Sequence, residues 1–209
     1  MTHPPSKLRT LRRVLWGLVG LALAAFIALV AWRLVETRVP HESRVVGGRA
    51  DITGAFTLVD QSGRAVTEKT YRGKWLLVFF GYTNCPDICP TTMAEIAEVM
   101  DGLGDDAAKV QPLLISIDPA RDTPAALAQF TAAFDRRIVG LTGTPAQVKA
   151  AATAFRVFYA KDPDKSDAKR YTMTHSAYLY LMRPDGRFAR VFAYGDDVAT
   201  VVSGIRKLF

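Results

Sequence analysis

The sequence predicts an α/β domain, a mixed central sheet with helices on both faces, preceded by one N-terminal transmembrane helix. Three observations carry this reading. Trp75–Phe80 is a continuous apolar run of strand length, as expected of a central strand buried on both faces. A helix signal near Thr92 and a second apolar run, Val110–Ile117, follow it, and strand–helix–strand implies a right-handed crossover with parallel pairing. Ahead of both, Val14–Trp32 is a stretch of 19 residues without a charge.

As a helix this stretch is ~28 Å long, enough to cross a hydrocarbon core. Trp16 and Trp32 sit near its ends, where interfacial aromatics belong. Lys7, Arg9, Arg12 and Arg13 precede it and predict a cytoplasmic N-terminus, which puts the remainder outside the cytoplasm. A cleaved signal peptide is the alternative, but the run is longer than a usual signal core and no small-x-small site follows. The expected organisation is therefore a basic N-terminus (1–13), a membrane anchor (14–32), a linker with Pro40, Gly47 and Gly48 (33–50), and one folded domain (51–209). The 209 residues fit that plan, and 49% hydrophobic against 22% charged residues supports a packed core rather than disorder. The net charge of +7 raises nucleic-acid binding, yet the other basic residues are scattered with no basic-aromatic stripe, so that class is excluded.

Within the domain, Phe56–Asp60 and Arg64–Val66 flank Gln61-Ser62-Gly63 as a small hairpin. Tyr71–Lys74 reads as a turn into the Trp75–Phe80 strand. Thr92 and Glu95 have capping-box spacing, and Ile96, Val99 and Met100 form an apolar stripe, so a helix is expected from about Thr92 to the glycines at 102 and 104. After the Val110–Ile117 strand, Asp118–Asp122 is a loop, and Thr123-Pro124 opens a helix running to about Asp135. Ile138–Leu141 is a short strand, Thr144-Pro145 starts a helix to about Phe155, and Val157–Ala160 is an edge strand. The charged Asp162–Arg170 stretch is an exposed loop. Ala177–Met182 and Arg187–Tyr194 form a hairpin around Arg183-Pro-Asp-Gly186, and Val198–Leu208 closes the chain as an amphipathic helix.

The chain has two cysteines, Cys85 and Cys89, in Gly81-Tyr-Thr-Asn-Cys-Pro-Asp-Ile-Cys-Pro90, directly after the central strand. A close pair between the first central strand and its helix is the layout of thioredoxin-like folds. At i and i+4 on a helix the Cα atoms are ~6 Å apart, within reach of one metal ion or a disulfide. A following helix N-terminus favours thiolates. Pro86 and Pro90 stiffen the loop at the strand's C-terminal edge, where α/β sheets place their ligands. Two thiolates make a poor closed zinc site, whereas soft cuprous copper accepts two or three ligands, and two sulfurs plus an imidazole suit it. Of three histidines, His3 precedes the membrane run and His41 lies in the linker; His175 is in the folded domain, at a junction that a thioredoxin-like arrangement packs beside the cysteine loop. Two rival uses of the pair stay open, thiol-disulfide exchange and reversible redox sensing, although thioredoxin-type oxidoreductases space their cysteines two residues apart rather than three. Asp87 fits a turn, Asp118, Arg121 and Asp122 an internal ion-pair or capping network, and Met93, Met173 and Tyr82 packing around the site.

The cysteine stretch through Thr92, Ser116-Ile-Asp-Pro-Ala-Arg-Asp-Thr-Pro124, Gly140-Leu-Thr-Gly143, and His175-Ser before the strand with Tyr180-Leu181 together resemble the signature of the SCO/SenC family, over roughly three-quarters of the chain. The resemblance implies a thioredoxin-like domain on a single anchor in the inner membrane, facing the periplasm. It implies copper, cuprous and also cupric, held by Cys85, Cys89 and His175. It implies a metallochaperone rather than an enzyme, serving the binuclear copper centre of cytochrome c oxidase. The oxidase's copper-bearing subunit and a copper donor protein are then its partners. One departure is visible: Thr174 stands where the family often has Asp.

Overall fold

The structure is a computed structural model and describes residues 7–36, 52–163 and 171–209. The chain forms two units, Met1–Glu42 and Ser43–Phe209. The first contains helix α1 (Lys7–Glu36), longer at both ends than the uncharged run. Backbone hydrogen bonding continues through flanking charged residues that a hydropathy boundary cuts off. Leu11–Trp32 within it is 22 residues long and apolar enough to cross a membrane. The expected linker is helical to Glu36, and its remainder lies outside the described residues.

The second unit begins with the expected hairpin, β1 (Thr57–Asp60) and β2 (Ala65–Thr67). A short 3-10 turn at Glu68–Tyr71 follows, capped reciprocally by Thr67 and Thr70. Strand β3 (Trp75–Gly81) is buried at every position, as its unbroken apolar composition requires. Helix α2 (Ile88–Leu103) leads to β4 (Val110–Ser116), which pairs parallel with β3. Thr123 caps α3 (Pro124–Ala132), and β5 (Val139–Thr142) adds parallel to β4. A Thr144/Gln147 capping box starts α4 (Pro145–Ala154). Then come β6 (Tyr159–Pro163), β7 (Tyr171–His175), the hairpin β8 (Tyr178–Met182) and β9 (Phe188–Ala193), and α5 (Val198–Arg206), capped by Asp197.

The main sheet runs β2-β1-β5-β4-β3-β8-β9, with β1 antiparallel to β5 and β8 antiparallel to β3. Alternation along β3 separates its two faces. Phe80 turns to the α4 side, 5.2 Å from the Phe155 ring, whereas Phe79 and Gly81 turn to the α2 side beside Cys89. Helices α2 and α5 share that face, where Arg206 of α5 donates to the Gly102 carbonyl.

Two expectations are corrected. Helix α2 starts at Ile88, not near Thr92, so Cys89 and Pro90 lie in its first turn. Pro90 there lacks an N–H that has no intrahelical partner in any case. Thr92 is buried instead of capping. The edge strand expected at 157–160 lies at 159–163 and pairs with β7, a strand the sequence reading missed, in a two-stranded ribbon of its own. Of the expected 162–170 loop, residues 164–170 lie outside the described residues.

Leu77, fully buried in mid-β3, has Pro112 and Leu181 as its cross-strand neighbours. Leu77→Ala is expected to cost about 2–5 kcal/mol of stability, read as a lowered urea midpoint of the detergent-solubilised chain. A loss below about 1 kcal/mol would contradict this packing.

Candidate metal centre

Strand β3 ends at Gly81, and the next eight residues bring both cysteines back over its C-terminal edge. The turn begins with the Cys85 amide donating to the Tyr82 carbonyl at 3.4 Å. Cys89 follows on the first turn of α2 and is fully buried, while Cys85 is half-buried. Gly81 makes this approach possible. A Cβ there would sit 2.8 Å from Phe79 Cε1, closer than real side chains come, and 3.0 Å from Cys89 Sγ, tighter than most. The Cys89 amide, one of the free donors of the helix start, points to Cys85 Sγ at 3.4 Å.

His175, the last residue of β7, meets the pair from the other side. Its Nε2 lies 3.7 Å from Cys89 Sγ, and the ligand atoms of Cys85, Cys89 and His175 all fall within 4.8 Å of one another. Its Nδ1 lies 3.1 Å from the Ser176 carbonyl, which can only accept, so that nitrogen carries the proton and the Nε2 lone pair faces the sulfurs. Such a carbonyl partner fixes both the tautomer and the ring orientation of a metal-ligating histidine. The rings of Phe79 (6.0 Å) and Tyr82 (6.2 Å) meet the imidazole edge-on and wall it in. His3 and His41 lie outside the described residues.

Burial dominates the electrostatics. It pushes the His175 pKa below the ordinary 6.5, against the bond to Ser176, and so keeps the imidazole neutral. It pushes the Cys89 thiol well above the usual range, with the Cys85 sulfur adding to the rise and a Tyr82 backbone bond opposing it. The direction at Cys89 is therefore upward, opposite to the shift a helix N-terminus by itself favours. A cation held between the sulfurs would favour their thiolates, because metal binding displaces the thiol proton.

The neighbours named from the sequence take their places. Asp122 is buried and accepts from Ser116 Oγ (2.6 Å), Thr83 Oγ1 (2.6 Å) and the Thr83 amide (3.2 Å), clamping the cysteine loop to the end of β4. Its own pKa is raised by burial, against those bonds. Asp118 pairs with Arg121 and accepts from the Tyr171 hydroxyl at 2.7 Å. Tyr82 is buried, and its hydroxyl accepts from the Met173 amide at 3.1 Å. Met93 is core packing, and Asp87 is exposed, accepting at its backbone carbonyl from Thr91. Thr174 is exposed, on the strand face opposite His175, so a side chain at this position turns to solvent rather than to the sulfurs. Sequence reasoning missed Tyr171, Phe79 and Ser176. The spacing 171/173/175 was the available signal for Tyr171, once the segment is recognised as a strand.

Comparison with known proteins gives the family and the fold of this unit. A model of the SCO1/SenC family matches residues 45–209. A mitochondrial SCO1 homologue from Arabidopsis thaliana is 36% identical over 161 residues, 77% of this chain and 48% of its own length. The chain thus spans about half of that relative. The copper-bound structure of Bradyrhizobium japonicum ScoI is 44% identical, with a TM-score of 0.69 over 76% of this chain and 99% of that one. Copper-bound yeast Sco1 is 37% identical, with a TM-score of 0.70 over 75% of this chain and 87% of that one.

The depressed His175 value fixes the sign of a pH effect. The unfolded chain takes up this proton first as pH falls. The stability tied to neutral His175 is therefore fully present above 6.5 and lost as pH falls through that value toward the lower folded one. The metal-free protein should lose more stability between about pH 7.5 and pH 5 than His175→Gln does, measured by denaturant melts at each pH. Equal losses would show that His175 is not held neutral by burial.

Proposed function

The chain belongs to the SCO1/SenC family, and on that premise we propose that it is a membrane-anchored metallochaperone that carries copper on Cys85, Cys89 and His175. The observation that carries the proposal is the convergence of two sulfurs and a neutral imidazole within 4.8 Å. That donor set suits cuprous copper, which is soft and content with two or three ligands, better than zinc, which wants four. Copper is cargo in this reading. Cys85 and His175 are half-buried at the rim while Cys89 is sealed, so a receiving protein meets the ion from the Cys85 and His175 side. The receiver we propose is the copper-bearing subunit of cytochrome c oxidase, with its binuclear centre as destination, and a separate copper donor loads the site. Leu11–Trp32 supplies the anchor in the inner membrane, with the folded unit in the periplasm.

Thiol-disulfide exchange on the same pair, including upkeep of the receiver's thiols, has one observation in its favour: both sulfurs are free thiols and Cys85 is accessible. It has no use for the third ligand. Burial also keeps Cys89 as a thiol, a poor nucleophile.

Titration of the purified chain with cuprous and cupric copper, thiol state monitored, separates the two readings. The wild type should bind one equivalent. His175→Ala should weaken binding by about 10–100-fold or more, since changing even a residue behind a metal ligand costs that much. Equal affinity in both proteins would remove His175 from the site. A wild type that binds no copper yet turns over disulfides would hand the function to the oxidoreductase reading.

A further inference from the structure

His175 reaches the cysteines from a ribbon that does not pair with the main sheet. Among the described residues β6 and β7 pair with each other and not with the seven-stranded sheet. Strand alternation puts Tyr171, Met173 and His175 on one face of the ribbon, beside their partners Lys161 and Tyr159. The other face, with Ala160, Thr172 and Thr174, is exposed. Besides the His175 ring and the packing of Met173 and Tyr159 against the core, two polar contacts fasten the inward face. One is the Met173 amide on the Tyr82 hydroxyl. The other is Tyr171, at the far end of the strand. Its ring has the Arg121 guanidinium and the Lys161 ammonium each 3.7 Å from its centroid. Its hydroxyl donates to Asp118 Oδ1 at 2.7 Å, and its carbonyl accepts from Arg121 Nη1 at 3.1 Å. Asp118 and Arg121 pair with each other on the loop between β4 and α3.

We propose that Tyr171 is a positioning residue that holds His175 against the cysteine pair, its ring and hydroxyl forming a latch onto Asp118 and Arg121. The inference deepens the copper reading above and rests on it for its function. The mechanical argument is independent of metal. After His175 the chain enters β8 within three residues, and β8 is fixed to β3, so the C-terminal end of β7 is held by the main sheet. A strand held at one end can still twist about its own axis. Side chains at 171 and 175 project to the same face, about 13 Å apart at ~3.3 Å per residue. Pinning Tyr171 therefore sets the angle at which the imidazole points. An off-angle ring would carry Nε2 away from its 3.7 Å approach to Cys89. Cation–π contacts gain strength where water is partly excluded, and this ring has two.

The test uses the full chain in detergent. Cuprous affinity is measured by competition with a chromophoric chelator, and amide exchange of residues 171–175 is followed without metal. Tyr171→Leu removes both ring and hydroxyl and should weaken copper binding about tenfold, while Tyr171→Phe, which keeps the ring between its cations, should lose less than about threefold. In a His175→Ala background Tyr171→Leu should cost nothing further, because its effect runs through that imidazole. Amide exchange of Met173 and His175 should be faster in metal-free Tyr171→Leu. Wild-type affinity in Tyr171→Leu, an equal loss with His175 already removed, or unchanged amide exchange would each overturn the latch. Faster exchange in Tyr171→Leu alongside a wild type that binds no copper would sink the copper reading and leave the latch standing.

Discussion

Everything at the metal centre depends on one approach, His175 Nε2 to Cys89 Sγ at 3.7 Å. The two atoms belong to elements held by different means. Cys89 rides on α2 behind the most buried strand of the sheet, so its place is set by core packing at β3. His175 ends a ribbon outside that sheet, so its place is set by the short link to β8, by its pairing with β6 and by side-chain contacts. Core packing tolerates little displacement, because interiors are filled to crystal-like density. The cysteine half is thus the rigid half, and the histidine half is brought to it.

The same burial that makes the cysteine half rigid decides its charge. A sealed Cys89 and a half-sealed His175 both favour their neutral forms. A bound cation would exchange with the thiol protons, so the sulfurs would be thiolates only while it is held. A neutral, aromatic-walled pocket of two sulfurs and one nitrogen favours a soft monovalent ion that needs few ligands and little water over hard cations that want oxygen. Gly81 is where fold and chemistry meet most tightly. The residue that ends the central strand must lack a side chain for the second sulfur to sit over it.

Much of this was legible in the sequence because it follows from strong local signals. The apolar run at β3, the two Thr-Pro helix starts and the closing hairpin each rest on patterns that tertiary context does not overrule. His175 was legible by placement, as the histidine of the folded part. Two things were not legible. The Thr92/Glu95 spacing is a genuine capping pattern, but α2 begins at Ile88 and carries Pro90 in its first turn, where the ring is tolerated. Strand β7 was hidden for a different reason. Tyr-Thr-Met-Thr-His does alternate, but over only five residues, with no aliphatic side chain among them, and a charge-rich stretch precedes it. Its stability comes from a tyrosine between two cations and from backbone bonds to distant side chains, which no local pattern encodes.

The Ser116–Pro124 stretch gains its meaning from that division of labour. Its acids face two ways. Asp122 takes hydrogen bonds from both the amide and the hydroxyl of Thr83, two residues before Cys85. Asp118 and Arg121 hold Tyr171, four residues before His175. Ser116 ties the two arms together, donating to Asp122 at 2.6 Å while accepting from the Asp118 amide at 3.0 Å. Asp122 is buried at an electrostatic cost that its pKa records, and it is raised further by Asp118 nearby. A structure that keeps two buried carboxylates on one short loop gives up stability there. What it obtains is a single rigid piece, rooted in β4, touching both halves of the metal centre. A loop bound to the cysteines alone would leave the far end of the ribbon, at Tyr171, without this polar tie, and one bound to the ribbon alone would not be tied to the sulfurs. Bound to both, it links the segment that carries the sulfurs to the strand that carries the imidazole.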